Sequence, residues 1–430
     1  VRKLFVLFVV LGLAMTGCSS KTSETTKTEE GKVVVEFWHS LDGDNGQTLD
    51  GIIKHFNEQS DSVEVKASFQ DNVQQQMRTV GKTNSAPVVF MGQGRETAYY
   101  SQSDYVTSIE ALMEEDSEFD ISSLNEAVVE NHSIDGKLNS MPFNVSVQLM
   151  FYNADLFEQA GLDPNDPPQT FGEIQADAET LTTGENMKGF SIPLDSSFIT
   201  NFFAVQDELM YNNDNGRSGE APTETYLNSP VGKEIYNWIS DMNEAGTFGN
   251  YGRTWSNTQL AFSSGELAMY LDSSAVTGIW LDTLDFKLKA APFPIPDDVE
   301  WVGENQGGSE LWLSNQATEE EQEAGWEFIK FMVSPEVQSE WAASTGYVPV
   351  TPESAEISPL KEAYNENEQL KVGYDVLQET EPSDATAGPS IEQLEVTEQI
   401  AQSLENLVQG DKVENVLNDV EEKINDLLQE

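Results

Sequence analysis

Cysteine occurs once in this chain of 430 residues, at Cys18. A lone thiol closes no internal disulfide, so the body beyond it must be held by its core alone. Basic side chains are scarce as well: 22 Lys and Arg stand against 75 Asp and Glu, for a net charge of −53. That imbalance argues against a nucleic-acid partner, which needs a basic footprint, and disfavours docking on anionic lipid. It describes a solvated acidic surface rather than a ligand. Histidine is limited to His39, His55 and His132, and neither HExxH nor GxSxG occurs, so the common hydrolase signatures are missing. Beyond Met15 no apolar run approaches the roughly 20 residues of a membrane-spanning helix.

What is present begins with Val1-Arg2-Lys3, an apolar run from Leu4 to Met15, and Thr16-Gly17-Cys18. Basic, apolar and then small is the pattern of an export signal, here residues 1–17. Met15-Thr16-Gly17-Cys18 resembles a lipobox, which implies acylation of Cys18, a palmitate-type anchor and a place on the outer face of the cell membrane. Residues 18–32 are polar and aperiodic, and read as a disordered tether.

The body alternates strands and helices. Val33–Trp38 is β-branched and reads as a first strand, and Asp42–Gly46 as a loop. Apolar residues at Leu49, Ile52, Ile53 and Phe56 have helical spacing. Val63–Ala67 reads as a strand, Gln74–Thr83 as a helix and Ala86–Met91 as a buried strand, which together give the βαβ grammar of a mostly parallel sheet. The grammar recurs at Gln148–Asn153, at a helix opened by Thr170, at Lys188–Pro193 and at Glu266–Leu271. Residues 319–333 form an amphipathic helix. From Ile391 to the end, two helices broken at Gly410 carry apolar stripes suited to packing on a core.

Several short motifs then resemble one family in order and spacing. They are Phe37-Trp38-His39-Ser40, Ala86-Pro87, Pro142-Phe143-Asn144-x-Ser146 and Ala160-Gly161-Leu162-Asp163-Pro164 with Pro167-Pro168-x-Thr170. Gly307-Gly308-x-x-Leu311-Trp312 and Thr345-Gly346-Tyr347-x-Pro349 complete the set. They resemble the extracellular solute-binding proteins of carbohydrate-type ABC importers, nearest the glycerol-3-phosphate-binding branch. The resemblance implies an α/β, two-lobed periplasmic-binding-protein-like (type II) fold with a ligand cleft between lobes that close on solute. Lobe 1 is expected to comprise 33–146 and about 275–345, and lobe 2 about 147–274 and 346–430. No cofactor or metal is implied. The implied partners are a small solute and an ABC permease with its ATPase, and a monomer is expected.

Carried over residue by residue, the resemblance implies ligand contacts at Ser146, at Ser273 or Ser274, at Gly307 with Gly308 close by, and at Tyr347. Trp38 ends the first strand, where ligands of α/β sheets gather. Asn72 and Gln93 stand near family positions, and Phe198 is a candidate stacking platform in a loop. Three positions depart: Val73 replaces an expected Tyr, Gly94 falls where an acid is expected, and the segment Ala385–Gly388 lacks the family's phosphate-region arginine. A phosphate without a cation or helix N-terminus is poorly compensated, so a neutral sugar, an oligosaccharide or a glycerophosphodiester is expected over free glycerol-3-phosphate.

Other signals are weaker. The acidic loop at Asp42 is too short for an EF-hand, and Ile53 stands where its bidentate Glu belongs. Gly81-Lys82-Thr83 lacks the first glycine of a phosphate loop, since Gln76 stands there. His39 is not read as catalytic. Asp42 reads as a turn cap, and Asp272 could accept sugar hydroxyls. An exported glycoside hydrolase remains an alternative, because so many acids guarantee carboxylate pairs. A sensing or adhesive surface lipoprotein of the same fold is another.

Overall fold

The computed structural model describes residues 25–429 apart from 185, 392 and 394. The export signal, Cys18 and the first part of the expected tether lie outside the described residues.

Among the described residues, twelve strands form two main sheets and a hairpin. They are β1 (Val33–His39), β2 (Val63–Phe69), β3 (Val89–Gln93), β4 (Val106–Thr107), β5 (Ser133–Ile134), β6 (Lys137–Leu138), β7 (Met141–Ser146), β8 (Gln148–Asn153), β9 (Lys188–Ser191), β10 (Leu267–Ser273), β11 (Leu288–Ala291) and β12 (Gly307–Ser314). Lobe 1 holds the order β2-β1-β3-β12-β4, with β7 also pairing β12. Lobe 2 holds β11-β8-β10-β9, and β5 and β6 pair as a small hairpin. In lobe 1, β1 runs parallel to β2 and β3, so their C-terminal ends open on one edge.

Two large apolar clusters fill the molecule, the first reaching from lobe 1 to Phe151 and Tyr270 on the lobe 2 sheet. In lobe 1, Val35, Phe37, Leu49, Ile52 and Phe328 are wholly buried under the Gly43–Gln59 and Glu319–Met332 helices. In lobe 2, Phe171, Phe190, Phe202, Trp238 and Phe293 pack on the sheet. The C-terminal helices Glu395–Val408 and Val413–Leu427 close over them with Ile400, Leu404, Leu407, Leu417, Val420 and Ile424. Burying one such side chain contributes about 1.5–3 kcal/mol.

Four expectations are corrected. First, residues 25–32 are docked on lobe 1 rather than forming a free tether. Lys27 bridges Val33, Thr26 N donates to Glu321 Oε1 at 2.8 Å, and Lys27 Nζ pairs with Glu320 at 2.6 Å. The acids at the start of the Glu319–Met332 helix supply the acceptors. Second, the expected loop at Asp42 is largely helix, which begins at Gly43 in a left-handed conformation (φ +54°) that glycine tolerates. Third, the stretch from about 275 does not all return to lobe 1, because β11 pairs antiparallel with β8 in the lobe 2 sheet. The chain recrosses only between Ala291 and Gly307. Fourth, Phe198 lies in the Ser196–Ala204 helix, not in a loop.

Candidate functional site

The C-terminal ends of β1 and β3 and the turn before the Val73–Val80 helix frame a cavity of about 280 Å³. Lobe 1 lines it with Ser40, Asp71, Asn72, Val73, Gln74, Met91, Gln93 and Glu96; lobe 2 adds Thr397 from the Glu395–Val408 helix. Side chains at strand ends converge because each βα turn must leave the sheet there. Asn72 caps its helix by accepting from Gln75 N at 2.8 Å, and Gln93 and Glu96 form a reciprocal cap around residues 94–96. Most of the lining is polar: amide, hydroxyl and carboxylate groups that can meet solute hydroxyls. Among the described lining side chains there is no cation.

Beneath the rim stands Glu310, wholly buried on β12. It accepts from Thr97 Oγ1 at 2.9 Å, Trp312 Nε1 at 2.9 Å and Ser140 Oγ at 2.5 Å. Burial pushes its carboxyl up to about 8 despite these donors. Nearby, burial drives the His132 imidazole down to about 4, which leaves it neutral 3.7 Å from Glu310. The network pins Thr97, next to Glu96, and so stiffens the wall of the cavity.

A second cluster lies where the chain passes between the lobes. Ser146, the last residue of β7, pairs with Gly307 of β12. Val145 bridges Val348, accepting from its N–H at 2.8 Å, which brings Tyr347 alongside. Tyr347 is half-buried and stacks on Trp341 with ring centroids 5.7 Å apart. Gly308 has φ +115°, and a Cβ there would lie 1.9 Å from Asn144 O, so only glycine fits. Ser273 pairs with Gln148 at the start of β8. The strand β12 joins the two clusters: its Ser309 pairs with Gln93, two residues from Gly307, or about 7 Å along the strand.

Asn72 and Gln93 therefore line the cavity, whereas Ser146, Ser273, Gly307, Gly308 and Tyr347 gather at the crossing. Trp38 lines neither; it is half-buried against the lobe 1 aromatic cluster of Phe90, Tyr100 and Trp312. Phe198 is fully buried beneath Trp255, with ring centroids 5.0 Å apart, so it is core rather than platform. Ser274 is buried and its Oγ accepts from Val147 N at 3.3 Å, which fixes the crossing strand. Asp272 is likewise interior, held by Gln259 Nε2 at 2.9 Å, with burial pushing its carboxyl up to about 7.

Ser40, Asp71, Gln74, Met91 and Thr397 were not singled out from sequence. The strand-end rule could have found the lobe 1 members, since they flank β1, β2 and β3. Thr397 gives no signal, being one polar residue on an amphipathic helix. The segment Ala385–Gly388, which carries no cation of its own, does receive one: Arg217 Nε donates to Gly388 O and Nη2 to Ala387 O.

Comparisons with known proteins agree with the two-lobed fold. Residues 51–372 match the model of a family described as bacterial extracellular solute-binding protein. The sn-glycerol-3-phosphate-binding periplasmic protein UgpB of Yersinia pestis is 27% identical over 344 residues, covering 77% of each chain. Its counterpart from Escherichia coli K12 is 24% identical over 367 residues, covering 84% of this chain and 81% of that one. Among solved structures, UgpB from Mycobacterium tuberculosis in complex with glycerophosphocholine superposes with a TM-score of 0.78 at 19% identity, over 93% of this chain and 99% of that one. The cyclic alpha-maltosyl-1,6-maltose binding protein from Arthrobacter globiformis gives 0.77 at 22% identity, over 93% and 100%. These superpositions show that the two-lobed fold is shared.

Proposed function

Because this chain belongs to the bacterial extracellular solute-binding protein family, we propose that it captures a hydroxyl-rich solute outside the cell and delivers it to an ABC permease. The proposed solute is a sugar, an oligosaccharide or a glycerophosphodiester. The observation that carries this reading is the polar cavity at the lobe 1 strand ends, closed from the other side by Thr397. Such a site suits a ligand held by aimed hydrogen bonds, with lobe closure excluding water.

In this reading Asn72 and Gln93 bind solute hydroxyls through their amides. Ser146, Ser273, the Gly307 backbone and the Tyr347 ring extend the site along β12 toward a longer ligand. Asp71 and Glu96 in the lining disfavour a dianionic phosphate monoester, whereas a neutral sugar or a singly charged diester meets less repulsion. An acylated Cys18 would tether the protein at the outer face of the cytoplasmic membrane, and the body works as a monomeric binding protein rather than an enzyme.

The test is a thermal-shift panel of glycerol-3-phosphate, glycerophosphocholine, glucose, maltose and maltotriose. Ligand at a hundredfold excess over its dissociation constant stabilises by about 2.7 kcal/mol. A shift with sugars or the diester is expected. Glycerol-3-phosphate as the strongest responder would overturn the charge argument, and silence across a wider solute panel would overturn capture itself.

A further inference from the structure

Arg217 lies in a loop of lobe 2, projected by the bridge between Tyr211 and Thr225. Its guanidinium donates to five backbone carbonyls: Gly388 through Nε, Glu130 and Ser133 through Nη1, and Asn131 and Ala387 through Nη2. Glu130, Asn131 and Ser133 belong to lobe 1, at the end of the Glu126–Asn131 helix and the start of β5. Ala387 and Gly388 precede the lobe 2 helix Glu395–Val408, which carries Thr397. One planar fork, with five N–H groups and no more, is thus used up across the gap between lobes. Asn131 Nδ2 adds a parallel bond to Ala387 O at 3.0 Å.

The backbone that delivers Arg217 is unusual. Asn213, Asp214 and Asn215 are consecutive left-handed residues (φ +55°, +53° and +56°), followed by Gly216 at +77°. A run of that kind is disfavoured for L-residues and persists only where its surroundings over-determine it. Here Asn215, buried, accepts from Met210 N and Tyr211 N at 2.9 Å each and donates to Asp384 O at 3.0 Å. Ser390 N donates to Asn215 O at 2.8 Å, and a Cβ on Gly216 would lie 2.4 Å from Ser390 O. This left-handed run leads into Arg217, whose fork reaches the carbonyls of the other lobe.

We infer that Arg217 is a positioning residue: it latches lobe 1 to lobe 2 and so presets the width of the cleft that Thr397 closes. The inference rests on the proposed capture by a closing cleft. A preset gap raises apparent affinity, because a ligand that needs the closed form is weakened in proportion as that form is scarce. A lysine cannot replace the fork, since it is a point charge rather than five fixed donors.

The latch is tested without any solute, by small-angle scattering of the full chain and of its Arg217→Lys, Arg217→Ala and Asn131→Ala variants. Circular dichroism and cooperative melting identify the folded ones. The expected result is a larger radius of gyration in every folded variant, on the order of 1 Å above the roughly 21–22 Å of a compact chain this long. The ranking should be Arg217→Ala, then Arg217→Lys, then Asn131→Ala. If the arginine variants fail to fold, Asn131→Ala decides alone. Folded variants that scatter like the wild type overturn the latch. A wild-type thermal shift with maltotriose or glycerophosphocholine alongside unchanged scattering removes the latch and leaves capture standing. Expanded variants with no solute response remove capture and keep the latch.

Discussion

The two lobes meet the cleft in opposite ways. Lobe 1 offers it eight side chains from strand ends and turns, and lobe 2 offers Thr397. The aromatic mass of lobe 2 is turned inward: Phe171 stacks on Trp238 at 4.1 Å and 7°, and Phe202 packs on both Trp238 and Phe293. Lobe 1 instead places a satisfied buried carboxyl, Glu310, just beneath the cavity wall. On the proposed reading, the contrast teaches that lobe 1 would supply most of the side chains that meet solute in this cavity, while lobe 2 would close it with Thr397.

The largest expected effect sharpens that division. Trp238→Ala removes the stacked indole and its bond to Phe171 O, and should cost about 3–5 kcal/mol of stability by chemical denaturation. Solute affinity of the protein still folded should be unchanged; a large loss would break the comparison by making the lobe 2 core part of recognition. Next, Gln93→Ala should weaken binding about tenfold by calorimetry, the effect of roughly 1.4 kcal/mol from a lost hydrogen bond. Asn72→Asp, which keeps the helix cap, should weaken it by a similar factor, and no change in either would move the site elsewhere.

The pH response is read on stability rather than on binding. Glu310, and Glu304, which is wholly buried and accepts from Gln148 N at 3.0 Å and Asn201 Nδ2 at 3.2 Å, have folded-state values raised from 4.5 to about 8 by burial. Between those values the folded protein keeps protons that the unfolded chain has released, so stability should fall as pH rises from 4.5 to about 8. Repulsion among the surface carboxylates has the same sign, so the decisive comparison is melting of Glu310→Gln or Glu304→Gln, whose profiles should be flatter than wild type. Equal slopes would mean that the buried carboxyls do not carry the effect. The smallest effect is expected of Thr397→Val: about threefold weaker binding, from the loss of one hydroxyl at the edge of the site.

Much of the fold was legible because apolar periodicity reports directly on burial. The Val33 strand, the Gln148 strand, the helix over 319–333 and the paired C-terminal helices all appear close to where their patterns put them. The second passage between lobes was placed too early, because Pro292-Phe293-Pro294-Ile295-Pro296 is irregular and has no period to mark the change of sheet. Phe198 was misread because an aromatic beside a strand looks alike as platform or as core until its helix is known. Asn72 and Gln93 were within reach of sequence as strand-end residues. Arg217 was not, since its partners are backbone carbonyls, which leave no trace in side-chain pattern.

Residues 25–32 dock beside the start of β1, whereas the cavity opens past its end at Ser40. The strand separates them by seven residues, or about 23 Å. A leash pulling on Thr25 would therefore grip the molecule by its heel. The mouth would stay free to swivel toward passing solute or toward a docking surface.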